Sequence, residues 1–354
     1  MTKIQKHIQI VRSSTPSLNS LGTKSSIMIQ TLLEKHYEKV GFTIINNQSD
    51  LQILISKQPD LVFLAVKQVP SYLPKDLSLG AKIWVSEFLD ENNINYTGSC
   101  GSAIQLDFDK PSAKNTVWGS NLMTSSYFMA SLGQYTNASD VPLDYPLFVK
   151  PNNGGGGKGV GADSVVRNFS EFTQKVESIS INYGSDSLVE TYLPGREFSV
   201  AILEIAGSNE LLAMPVELIT EKNARGDRIL GQQIKKDDTE HVIFVENSNL
   251  KDAIVNLAKH AFISLGARDY GRIDIRLDEQ GTPHFLEANL IPGLSQHNYN
   301  SYFTSAYQLN QMMNYDSMIL HIVDLGFSRE IGIMKNDERT VVRYDGSKQM
   351  EITN

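Results

Sequence analysis

A chain of 354 residues, 41% hydrophobic and 20% charged, has material for two or three packed lobes, which excludes disorder as its dominant state. A net charge of −8 disfavours extended nucleic-acid or anionic-membrane binding, although a local basic pocket for one nucleotide stays open. The single cysteine, Cys100, excludes an internal disulfide framework and any cysteine-based zinc site. With no apolar stretch of membrane-span length and no signal-peptide pattern at the amino end, a cytoplasmic protein is expected.

His7 to Val11 alternates as a strand, a polar loop follows over Arg12 to Lys24, and Ser25 to Val40 reads as an amphipathic helix. A strand near Phe42 to Ile45, a helix over Leu51 to Lys57 and an apolar run from Asp60 to Val66 extend this to a parallel α/β lobe, residues 1–103. A second lobe, 104–194, holds a helix, strands at Leu147 to Lys150 and Ser187 to Glu190, and a glycine-rich loop. The third, 195–354, carries antiparallel strands over Glu197 to Glu204, Glu210 to Leu218 and His241 to Val245. A helix over Leu250 to Leu265 and a hairpin, Arg272 to Leu277 with His284 to Asn289, follow.

The hairpin carries the most chemistry. Residues two apart on a strand share a face, so Arg272 projects with Asp274 and Glu287 with Asn289. The turn at Asp278 to Gly281 sets these faces side by side, giving hard oxygen ligands beside a guanidinium. Such a set suits magnesium with a bound triphosphate; the competing account is a solvated surface hairpin. In FVKPNNGGGGKGV, from Phe148 to Val160, glycine N–H groups can form an anion nest, and Lys150 closes the strand before it. A Walker A loop is excluded because Gly159 follows Lys158. In SLVETYLPGREFSV, Glu190 and Glu197 flank a turn, and Tyr192 with Leu193 could line an adenine slot, with an ordinary charged hairpin as the alternative.

YTGS at Tyr96, Asp109-Lys110, FVKP at Lys150, the glycine loop, LVETYLPGREFSVAIL, GRIDIRLD and FLEANLIPG follow the order and spacing of D-alanine:D-alanine ligases. The chain resembles that branch of the ATP-grasp superfamily, strongly from about Asn95 to Tyr302. The resemblance implies an α/β ATP-grasp fold behind a Rossmann-like amino-terminal lobe, three lobes in all, with ATP held between the second and third. It implies Lys110 and Lys150 on the phosphates, Glu190 with the backbone near Leu193 around adenine, and Glu197 on the ribose; in the phosphate-binding glycine loop, Gly156 and Gly157 stand where the family has paired serines. Asp274, Glu287 and Asn289 would bind two Mg2+ ions, for which Mn2+ could substitute. Arg272 and the Gly293 N–H would stabilise an oxyanion, and Lys235 or Lys236 of the polar segment Glu221 to Glu240 would reach the transferred phosphate, a plain surface loop being the alternative. A homodimer through the amino-terminal lobe is also implied.

The departures concern the amino-acid sites. The loop RSSTPSLNSLGTK lacks the acid that pairs with the first substrate's ammonium, leaving Asn19 or Ser20 nearest. Lys67 stands near the usual histidine, and Asn298-Tyr299 replaces the pair that receives the second substrate. An ammonium buried without a carboxylate costs on the order of several kcal/mol. The expected activity is therefore ligation of a carboxylate to an amine through an acyl phosphate, with small amino-acid-like substrates and an anionic donor facing Lys67. A D-alanine:D-alanine ligase of cell-wall synthesis and a nucleotide-binding scaffold without catalysis are the alternatives. No nucleophilic side chain is required, so Cys100 reads as structural, while His297 is a marginal substrate contact.

Overall fold

The protein is described from a computed structural model covering residues 2–72, 81–153, 155–208, 210–296 and 301–329. Three β-strands, β1 (Ile4–Arg12), β2 (Tyr37–Ile44) and β3 (Leu61–Phe63), form a parallel sheet in the order β2-β1-β3. The central β1 is buried from His7 to Val11, as expected of a parallel strand covered on both faces. Helix α1 (Thr23–His36) packs Ile29, Leu32 and Leu33 inward at helical spacing, and α2 (Gln48–Ser56) starts on Asn47, whose side chain accepts from the N–H groups of Ser49 and Asp50.

Helix α1 is shorter than its periodicity suggests. The expected helix to Val40 stops at His36 because residues from Tyr37 onward pair with β1, beginning at Ile4 opposite Tyr37. Sheet pairing outweighs local propensity there. A small hairpin of β4 (Gln68–Pro70) and β5 (Lys82–Trp84), followed by α3 (Val85–Glu91), was not anticipated.

Helices α4 (Gly101–Phe108) and α5 (Lys110–Gly119) precede a four-stranded antiparallel sheet made of β6 (Tyr127–Ala130), β7 (Leu147–Pro151), β8 (Val165–Val166) and β9 (Ser187–Thr191), in the order β6-β9-β7-β8. Helix α6 (Phe169–Tyr183) closes its core through Phe172, Val176 and Ile179. The largest sheet is antiparallel and takes the order β12-β11-β10-β13-β14. Its strands are β10 (Glu197–Glu204), β11 (Leu211–Ile219), β12 (His241–Phe244), β13 (Tyr270–Leu277) and β14 (Pro283–Asn289). One face takes α8 (Asn249–Ser264) and, through Ala113 and Val117, α5. The other takes α9 (Tyr302–Asn310) and α10 (Tyr315–Phe327), whose apolar residues join Ile8, Ile10 and Phe63 of the first sheet in one core. A short helix, α7 (Gln232–Asp237), lies in the segment read as a polar loop. No helix among the described residues is long and apolar enough to cross a membrane.

Candidate active site

The β13–β14 ribbon sets Arg272 opposite Asn289 and Asp274 opposite Glu287, with an irregularity in register after Asp274. Asp274 is buried and held on both oxygens by Arg272, at 2.9 Å from Nε and 3.1 Å from Nη2, and its Oδ1 also accepts from Ser199 Oγ at 2.7 Å. Burial alone would raise the carboxyl of Glu287; Lys110, Lys150, Lys235 and Arg272 more than reverse this and hold its pKa at about 2. Four cations thus converge on one carboxylate.

Across from the ribbon, β7 carries Lys150 just before its end at Pro151 and runs into the glycine loop. Both groups line one cavity of about 850 Å³ that also contains Asp274, Glu287, Lys110 and Lys235. Lys150 Nζ lies 2.7 Å from Glu190 Oε2, and Lys114 Nζ lies 2.7 Å from Oε1, which accepts from Ser125 Oγ as well. Burial works against the Glu190 anion, yet these two ammonium groups keep its pKa at about 2. In this arrangement Glu190 fixes two lysines. Phe148 stacks on Tyr192 with centroids 6.4 Å apart, and Val160, Leu193, Leu230 and Leu286 complete an apolar slot at the same cavity. Glu197 accepts from Arg276 at 2.9 Å, and burial pushes its carboxyl upward against the pull of Arg276 and Lys235.

Gly156 and Gly157 both have positive φ, at 69° and 73°. A side chain on Gly157 would meet Gln232 N at 3.1 Å, so the glycine loop lies directly under α7. Lys235 on α7 lines this cavity and a second one beside it, of about 1450 Å³. Lys67, Arg272, Asn289, Gly293 and Tyr302 line the second cavity, and Lys110, Gly155, Lys235 and Glu287 are common to both. Gly293 approaches the first loop closely, its missing Cβ lying 3.3 Å from Ser20 O.

Two expectations about the second cavity change. Lys67 Nζ is held by both oxygens of Asp107, at 2.9 and 2.7 Å, and donates to Asn289 Oδ1 at 3.2 Å. Its charge is neutralised, so it gives no reason to expect an anionic donor. Asn19 is consumed by its own loop: Oδ1 accepts from Ser13 N, and Nδ2 donates to Ser13 O and Thr15 O. Asn298, Tyr299 and His297 lie outside the described residues. Cys100 lines neither cavity.

Sequence reasoning missed Lys114, Asp107, Ser199, Tyr302 and Glu240. Lys114 had a signal, since it sits four residues after Lys110 on one helix and so shares its face. The Tyr302 hydroxyl donates to Glu240 Oε1, a contact between distant segments that leaves no local trace.

The profile of the family described as "D-ala D-ala ligase C-terminus" matches residues 122–324. The chain belongs to this family. Its members are ATP-grasp ligases, which form carbon–nitrogen bonds using ATP and a divalent metal. An uncharacterised protein of Sinorhizobium fredii is 31% identical over 260 residues, spanning 70% of this chain and 71% of that protein. D-alanine--D-alanine ligase B of Clostridium perfringens is 26% identical over 293 residues, 81% and 88% of the two chains. In fold, the chain resembles the D-alanine--D-alanine ligase of Bacillus anthracis crystallised with ATP, with TM-score 0.67 at 20% identity, covering 92% of this chain and 98% of that one.

Proposed function

We propose that the protein joins the carboxylate of one small amino-acid-like substrate to the amine of another, through an acyl phosphate, releasing ADP and phosphate. The observation that carries this is the meeting of the two cavities at Lys110, Gly155, Lys235 and Glu287. One cavity has an apolar slot and a cationic end; the other opens beyond that end toward Arg272 and Gly293. A γ-phosphoryl group at the junction would face a carboxylate on the far side.

With the lobes taken as 1–103, 104–194 and 195–354, the nucleotide lies between the last two. Tyr192 and Leu193 would flank the base, Glu190 and Glu197 would read its amine and ribose, and Lys110, Lys150, Gly156 and Gly157 would hold phosphates. The donor chemistry fits a hard cation, since Asp274 and Glu287 are cross-strand carboxylates beside the Asn289 amide oxygen. With few protein ligands, two Mg2+ ions would complete their shells with phosphate oxygens and water, neutralising charge on the transferred group. Arg272 would then turn from Asp274 toward the oxyanion formed as the amine attacks, assisted by the Gly293 N–H and by Lys235. Positioning and charge suffice, and no side chain acts as nucleophile.

The relatives' names favour a D-alanine:D-alanine ligase as the second reading; the absence of an acid in the first loop counts against the usual way of binding its donor. ADP release measured with magnesium and an amino-acid panel tests the proposal, and mass spectrometry of the products separates the two readings. Asp274→Asn and Glu287→Gln are expected to lower turnover by about 100-fold or more while the circular dichroism spectrum stays unchanged. Full activity in either variant contradicts the metal assignment.

A further inference from the structure

Lys114 is wholly buried on α5 and lines neither cavity, whereas Lys110, one turn earlier on the same helix, lines both. Its ammonium meets three oxygens: Thr124 Oγ1 at 2.7 Å, Ser125 Oγ at 2.9 Å and Glu190 Oε1 at 2.7 Å. The two hydroxyl protons are already committed, that of Thr124 to Phe285 O and that of Ser125 to Glu190 Oε1. All three oxygens must therefore accept from Lys114, and only its charged form carries three N–H donors. Burial draws the Lys114 pKa below its ordinary value, against the pull of Glu190.

A charge held out of water at this cost bears on the charge balance of its neighbours. Lys150 shares Glu190 through the other oxygen, Oε2, at 2.7 Å, and lines the first cavity together with the glycine loop. One carboxylate between two ammonium groups leaves one net positive charge. Were Lys150 the only partner, the pair would be neutral and the phosphate end of the cavity would lose a charge, in surroundings where water screens little. Resting on the ligase reading above, in which Lys150 meets the nucleotide phosphates, we infer that Lys114 neutralises Glu190 and so leaves the charge of Lys150 to those phosphates. Lys114 is thus a positioning residue, which touches no substrate and acts through Glu190.

The test is calorimetric binding of ADP and of adenosine, with magnesium present, to the wild-type protein and three variants. The quantity read is the factor by which ADP binds more tightly than adenosine. A charge lost at the phosphate end lowers that factor, while damage to the apolar slot weakens both ligands alike. Lys114→Met is expected to lower it about tenfold or more, with adenosine affinity kept within about threefold of wild type. Lys114→Met combined with Glu190→Gln removes the carboxylate together with its counter-ion and should restore the factor to within about threefold. Glu190→Gln alone should leave the factor no lower than in the wild type, which tests the same balance without a substitution at Lys114. An unchanged factor in Lys114→Met, a loss that the double variant does not restore, or a fall in Glu190→Gln overturns the inference. So does equal weakening of ADP and adenosine in Lys114→Met, the mark of a packing role, and a wild-type factor near unity overturns it without any variant. Failure of the ligase reading shows separately, as absence of magnesium-dependent ADP release from ATP.

Discussion

Glu190 is sealed from water between Lys114 and Lys150, and removing its charge leaves two buried ammonium groups facing each other. Glu190→Gln is expected to cost about 3–5 kcal/mol at neutral pH, read from urea unfolding. Because the folded pKa is depressed to about 2, the wild-type advantage is complete above the unfolded carboxyl value near 4.5 and is lost as pH falls toward 2. The gap between the two proteins should therefore narrow over that window; a constant gap contradicts the charge argument. Lys150, Asp274 and Glu287 were legible because strand period and an adjoining turn fix their direction. Lys67 was not, because its neutralisation depends on Asp107, a residue that carries no motif and reaches it only in the fold.

Among the elements, the glycine loop and the segment above it form one unit. Gln232 N donates to Val160 O at 3.2 Å, and a Cβ on Gly231 would come within 2.6 Å of that same oxygen. Gly157→Ala adds a methyl against backbone at a positive φ, a strain of roughly 1–2 kcal/mol that moving α7 away would partly relieve. Nucleotide affinity, measured by fluorescence titration, is expected to fall about tenfold while the melting temperature shifts by only a few degrees. Unchanged affinity would mean that the contact has no bearing on the cleft. The ribbon and the glycine run could be located from sequence because turn residues and period 2 mark them. The end of α1 could not, since pairing between β1 and β2 takes residues whose local pattern continues a helix.

For the whole molecule, a net charge of −8 coexists with a cleft where four cations act on Glu287, so the field that matters is local and built by four separate chain segments. One core joins the first sheet to the last helices, and Phe285 accepts from Thr124 Oγ1 at 2.8 Å and donates its N–H to Met123 O. The sharing of one core by the first sheet and helices α9 and α10 could not be read from the sequence, because it depends on non-local packing. The central proposed step is transfer of phosphate to a donor carboxylate at the junction of the two cavities. Incubation with ATP, magnesium, an amine acceptor and a donor labelled with 18O in its carboxylate tests this most directly. One labelled oxygen should appear in the released inorganic phosphate, whereas product formation with unlabelled phosphate would contradict it.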